Sequence, residues 1–163
     1  MVGCESTPEV EEAVVEEQGS ELSETEAAEG TGVSTYGADE SETSAMSALD
    51  DPQSKLYIRT IYFEYDSSEI QLDYRSIVEA HADYLVANPN TVITLEGHAD
   101  ERGSREYNLA LGERRALAVR QQMIVLGVAS SQIRTVSYGE ERPALDGHDD
   151  SSWSKNRRVE IIY

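Results

Sequence analysis

From Ile58 to Tyr65 apolar and polar residues alternate, placing Ile61, Phe63 and Tyr65 on one face of a predicted strand. Tyr74, Ile77/Val78, His81 and Tyr84/Leu85 then recur at helical spacing, and Asn88-Pro89 supplies a stop. Thr91 to Gly97 is rich in Val, Ile and Thr, which favours an extended chain. A long helix is predicted from Ser104, its cap, to Leu126, with Gly127 where a left-handed residue ends it. Ile133 to Tyr138 reads as a third strand and Gly139 to Ser154 as a long connection. Arg157 to Tyr163 reads as a fourth strand, with Val159, Ile161 and Tyr163 on one face. The order βαβαββ predicts an α+β two-layer sandwich, two main helices lying on one face of a mixed four-stranded sheet.

One charge interrupts this pattern. The inward seam of the long helix runs Leu111, Arg115, Ala118/Val119, Gln122/Met123, Leu126, so Arg115 falls where an apolar residue belongs. A guanidinium on a core-facing stripe needs compensation, because stripping one member from a buried ion pair costs about 3 to 5 kcal/mol. The nearest strong anion is Asp100, in the turn Gly97-His98-Ala99-Asp100-Glu101-Arg102-Gly103 that joins the second strand to this helix. The expectation is a cation and an anion facing each other across a strand-to-helix corner. Asn108 is expected to tie down the loop backbone with its amide. Of Arg157 and Arg158, which alternate across the last strand, one is expected to need an acid.

Charge divides the chain. Residues 1–54 hold 15 of the 32 acidic residues and none of the 13 Lys and Arg, and their only aromatic residue is Tyr36. Such a segment cannot bury enough apolar surface to offset the entropy of ordering, so it is expected to be a disordered acidic tether, with a folded domain at 55–163. Low pI and the lack of a basic stripe argue against nucleic acid as a partner. Cys4 is the only cysteine, so no intramolecular disulfide can form. No stretch approaches the ~20 apolar residues of a membrane-spanning helix.

Asn108, Leu111, Gly112, Arg115, Ala116, Val119 and Met123, preceded by Gly97-His98-Ala99-Asp100, resemble the peptidoglycan-binding signature of OmpA-like C-terminal domains. Gly112 stands where many members have Ser, and Met123 where Leu is usual. Further on, Ser137 to Ala144, Gly147-His148-Asp149-Asp150 and Ser154-Lys155-Asn156-Arg157-Arg158 resemble the peptidoglycan-associated lipoproteins, the Pal family. The resemblance covers roughly Leu56 to Tyr163. It implies that Asp100 takes the ammonium and Arg115 a carboxylate of meso-diaminopimelate in an uncrosslinked stem peptide. Arg102 would add a cation beside the stem-peptide carboxylates, Tyr65 and Asp66 would line the pocket, and Leu111 would supply apolar floor. Met1-Val2-Gly3-Cys4 resembles the end of a lipobox, which implies lipid on Cys4 and a place on the periplasmic side of the outer membrane. The resemblance also implies partnership with the Tol system, above all the periplasmic propeller TolB, in envelope integrity and cell division. The alternative is an OmpA-like cell-wall-binding lipoprotein outside that system.

Two other chemistries are weighed against this. His98, Asp100, Glu101, His148, Asp149 and Asp150 have no diagnostic metal-ligand spacing, so neither a metal nor a cofactor is expected. Glu64, Asp66, Asp100 and Glu101 could supply a carboxylate pair for glycoside hydrolysis. An acid neutralised by an arginine is a poor proton donor, however, and no nucleophile motif is present, so the chain is not expected to be an enzyme.

Overall fold

The computed structural model describes residues 49–163. Cys4 and nearly all of the expected tether therefore lie outside the described residues. Within them, β1 (Thr60–Tyr62), α1 (Leu72–Ala87), β2 (Ile93–His98), α2 (Arg105–Val125), β3 (Ile133–Gly139), α3 (Asp150–Asn156) and β4 (Arg158–Ile162) follow one another. The sheet order is β1-β4-β2-β3, with β2 and β3 parallel and the other two pairs antiparallel. The fold is the expected α+β arrangement with a mixed four-stranded sheet, and α3 is an addition to it.

The core lies between the sheet and the two long helices. Ile61, Ile93, Leu95, Ile133, Val159 and Ile161 from the strands meet Val78, Ala82 and Leu85 of α1 and Ala116, Val119 and Met123 of α2. Ser104 caps α2 by accepting from the Tyr107 N–H, and Gly127 follows the helix with φ 103°. Asn88 closes α1 as its stop signal predicts, its backbone and side-chain nitrogens both donating to the Tyr84 carbonyl. His81 is fully buried on α1, between the Tyr163 hydroxyl at 2.7 Å and the Ile58 carbonyl at 3.0 Å.

Three expectations change. β1 is shorter than the alternation suggested, because the chain leaves the sheet after Phe63 and turns at Asp66, whose φ of 53° is left-handed. The buried seam of α2 is Asn108, Leu111, Gly112, Arg115, Ala116, Val119 and Met123, while Leu126 lies past the helix end and is exposed. α3 begins inside the connection expected over 139–154 and runs two residues past its end, capped by Asp149, whose carboxylate accepts from the Ser152 N–H at 2.8 Å. Asn156 at its end is buried and ties the preceding loop to the helix, accepting from the Ala144 and Leu145 N–H groups.

Candidate functional site

The end of the sheet where β2 finishes collects most of the residues the sequence singled out. Arg115 reaches it from α2, Tyr65 and Asp66 from the β1–α1 loop, and Asp100 and Arg102 from the β2–α2 turn. Leu111 lies one helical turn before Arg115 and is buried.

Arg115 has no exposed surface, and its partners are backbone carbonyls. Nε donates to Ser67 at 2.8 Å, Nη1 to His98 at 2.8 Å and Nη2 to Glu64 at 3.1 Å. The expected direct pairing with Asp100 is therefore not what the structure shows. Carbonyl oxygens of the β1–α1 loop and of the last residue of β2 converge on the guanidinium and satisfy it without a carboxylate in contact. Burial lowers its pKa to about 10, Asp100 nearby opposing that shift, so it stays charged at neutral pH. Three of the five N–H groups of a guanidinium are thus engaged by the fold.

Asp100 is 5% exposed and is held by two other arginines. Its Oδ1 accepts from the Arg102 backbone N–H at 3.1 Å, and its Oδ2 accepts from Arg102 Nη2 at 2.6 Å and Arg157 Nη1 at 3.3 Å. Burial pushes the Asp100 pKa up, but the bonds from Arg102 and Arg157 outweigh it and hold the carboxyl below its ordinary value. The acid-requiring member of the Arg157–Arg158 pair at this corner is Arg157, which also donates to the Phe63 carbonyl at 3.0 Å. Arg158 turns to the opposite face of the sheet and pairs with Glu160 at 2.6 Å.

Asp66 accepts from the Tyr107 hydroxyl, a contact that bridges the β1–α1 loop to α2. Tyr65 is 60% exposed and faces the Arg102 guanidinium. Asn108 is buried, and its amide donates to the Glu140 carboxylate, not to the loop backbone as expected. His98 packs on the far face of the sheet against Tyr138, ring centroids 5.6 Å apart. Beside Ala99 and Glu101 opens a cleft of about 410 Å³ whose wall carries Glu140, Asp146 and His148. Among the described residues no group of three or more His, Cys, Asp or Glu could hold a metal ion.

Two residues at this corner have no counterpart in the sequence reading. Trp153 of α3 stacks on Arg102, and its indole N–H donates to Glu101. Its being the only tryptophan, just after the Asp149 cap signal, was the available clue. Tyr107 was equally silent, since nothing along the chain connects it with Asp66.

The chemistry available is ion-pair recognition. A buried, fixed guanidinium and a buried, ionised carboxylate stand within one corner, and a zwitterion carries the complementary groups.

Comparison with known proteins agrees with this architecture. The model of the OmpA family matches residues 62–157. The chain is 54% identical over 104 residues to the peptidoglycan-associated lipoprotein of Pseudomonas putida, a match covering 64% of this chain and 62% of that protein. To the peptidoglycan-associated lipoprotein of Pseudomonas aeruginosa it is 49% identical over 114 residues, covering 70% of this chain and 67% of that one. The matched region thus spans about two thirds or less of these relatives' length. The crystal structure of the peptidoglycan-associated lipoprotein from Burkholderia pseudomallei superposes with a TM-score of 0.70 at 46% identity, over 71% of this chain and 98% of that one. The C-terminal domain of Helicobacter pylori MotB shares the fold more distantly, with a TM-score of 0.59 at 28% identity, over 64% of this chain and 83% of that one. The chain belongs to the OmpA family, in the branch of the peptidoglycan-associated lipoproteins.

Proposed function

We propose that this chain is a lipid-anchored outer-membrane protein that binds peptidoglycan without covalent linkage and so tethers the membrane to the cell wall. The observation that carries the reading is the placement of Asp100 and Arg115, both buried and both charged, at one sheet end beside Tyr65, Asp66 and Arg102. The names of the relatives support the choice of polymer. The ligand is the free end of a stem peptide ending in meso-diaminopimelate, with Asp100 taking its ammonium and Arg115 its carboxylate. Because Arg115 is covered in this structure, its two remaining N–H groups meet the carboxylate only as the surrounding side chains give way. Leu111 forms the apolar floor.

The test is calorimetric binding of the chain to soluble muropeptides. Replacing diaminopimelate by lysine, or amidating its carboxylate, removes one group of the zwitterion and leaves a protein charge unpaired, which costs about 1 to 3 kcal/mol. Equal binding of the native, lysine and amidated ligands would sink the assignment.

The anchor is lipid on Cys4, and the acidic residues 1–54 are the tether between membrane and wall. Mass spectrometry of the N-terminus of protein taken from its native membrane tests this. An intact Met1 and a free thiol would refute it. The protein works as a binding partner and not as an enzyme, since Asp100 is kept ionised by two arginines. Release of soluble fragments from purified sacculi would overturn that. Membership of the Pal branch supports partnership with the TolB propeller, and co-purification with TolB separates this reading from a cell-wall lipoprotein outside the Tol system.

A further inference from the structure

We infer that Trp153 is a positioning residue of the site, holding the Arg102 guanidinium to receive a second carboxylate of the ligand. The inference rests on the muropeptide reading above and deepens it. The guanidinium carbon of Arg102 lies 4.1 Å from the centre of the Tyr65 ring and 4.3 Å from that of Trp153, so the planar cation is held between two aromatic faces. One corner of the fork is fixed as well, by the 2.6 Å bond from Nη2 to Asp100. Nε and Nη1 donate to nothing among the described residues, and Nε is buried.

The second ring is itself held in place. The Trp153 indole N–H donates to Glu101 Oε1 at 2.8 Å, which fixes the rotation of the ring, and His148 Nδ1 lies 2.7 Å from the same oxygen. α3 delivers a second group to the same corner, because Arg157 follows its last residue and reaches Asp100. Tyr65, by contrast, comes from a loop and is mostly exposed. The rigid wall of the clamp is Trp153.

The free donor then selects the ligand group. At this corner Arg102 and Arg157 share the Asp100 carboxylate, Arg115 is held by carbonyls, and Nη1 of Arg102 has no acceptor among the described residues. A diaminopimelate zwitterion engages Asp100 and Arg115 and leaves that donor open. The α-carboxylate of the stem-peptide glutamate, one residue back, is the next anion along the ligand, and Nη1 of a clamped Arg102 is the donor free to take it.

The experiment compares the full chain and its variants in calorimetric titration with a diaminopimelate disaccharide-tripeptide and with the same ligand amidated on its glutamate carboxylate. Wild type should bind the amidated ligand roughly 10-fold more weakly, in the range of one lost charge-assisted hydrogen bond. Trp153→Ala should lose a similar factor on the native ligand and lose the discrimination, and Trp153→Phe, which keeps an aromatic face, should recover most of both. In an Arg102→Ala background, Trp153→Ala should change affinity by less than about 2-fold, because two residues acting through one group are not additive. Trp153→Leu serves as the loss variant should the alanine chain not fold. Full discrimination in the loss variant, or an equal loss with Arg102 already absent, would overturn the positioning role. A wild type that binds diaminopimelate and lysine ligands alike would instead overturn the underlying site, a result independent of any Trp153 variant.

Discussion

Gly97 on β2 lies directly against the backbone of Gly112 on α2, so close that a Cβ at Gly97 would stand 1.9 Å from the Gly112 carbonyl oxygen. Both residues lie a few positions from the candidate site, and their contact sets how near α2 comes to the sheet. Arg115, one turn beyond Gly112, can span to the His98 carbonyl because of that approach.

Gly97→Ala should therefore destabilise the domain by about 3 kcal/mol, since the obstructing atoms are backbone and cannot rotate away. Urea unfolding measures it. The α2 shift needed to accept the methyl should also weaken muropeptide binding, and an alanine variant as stable as wild type would contradict the geometry.

Arg115→Lys should cost stability as well as binding. A lysine ammonium has no planar fork, so it cannot satisfy the Ser67, His98 and Glu64 carbonyls together. Leaving one or more buried acceptors unpaired should lower unfolding free energy by about 2 kcal/mol. The carbonyl partners predict a loss in both, read by denaturant titration beside calorimetry.

Gln132 plays a similar part at the other end of the sheet, where its Nε2 lies within 3.1 Å of the Leu85, Asn88 and Thr91 carbonyls. Gln132→Glu replaces that donor with an anion facing acceptors. A loss of about 3 kcal/mol is expected at neutral pH, with partial recovery in acid as the carboxyl protonates.

Acid should weaken the fold through its buried histidines. Burial and the adjacent Arg158 lower the His98 pKa to about 4, and burial also lowers that of His81. Both folded environments favour neutral imidazole, while the unfolded chain takes up its protons near the ordinary value of about 6.5. Their stabilisation is complete above that pH and is lost as pH falls through the folded values. For His98 the loss is on the order of 3 kcal/mol once pH is below about 4. Unfolding curves at pH 7.5, 5.5 and 4 check the slope, and His98→Phe should flatten it.

The chain order of elements was legible because period and punctuation coincide: helical spacing in α1 ends at Asn88, and that in α2 begins at Ser104. Arg115 was legible as an anomaly on its seam, but its partners were not. Backbone carbonyls are present at every position, so nothing in the sequence distinguishes Ser67, His98 and Glu64 as acceptors. A carboxylate was the visible candidate, and Asp100 proved to be occupied by Arg102 and Arg157 instead. α3 escaped because seven residues give too little periodicity to stand out from a loop, although Asp149 carried a cap signal. Arg102 was read by charge alone, since the Tyr65–Trp153 clamp joins residues remote in sequence.

β1 is only three residues long, yet its direction governs how the domain would bear a load. Its first residue faces the N-terminal side of the chain, and its last leads into the Glu64–Ser67 loop that Arg115 holds at the site. A pull applied through the N-terminal segment, against a ligand fixed at that corner, travels lengthwise along β1. The bonds to β4 lie across that line. They are strained together, in shear, instead of parting one after another as in a zip. The Arg115 contacts stand next in the same line, so in the proposed tether tension from the N-terminal side reaches the candidate site through a strand of only three residues.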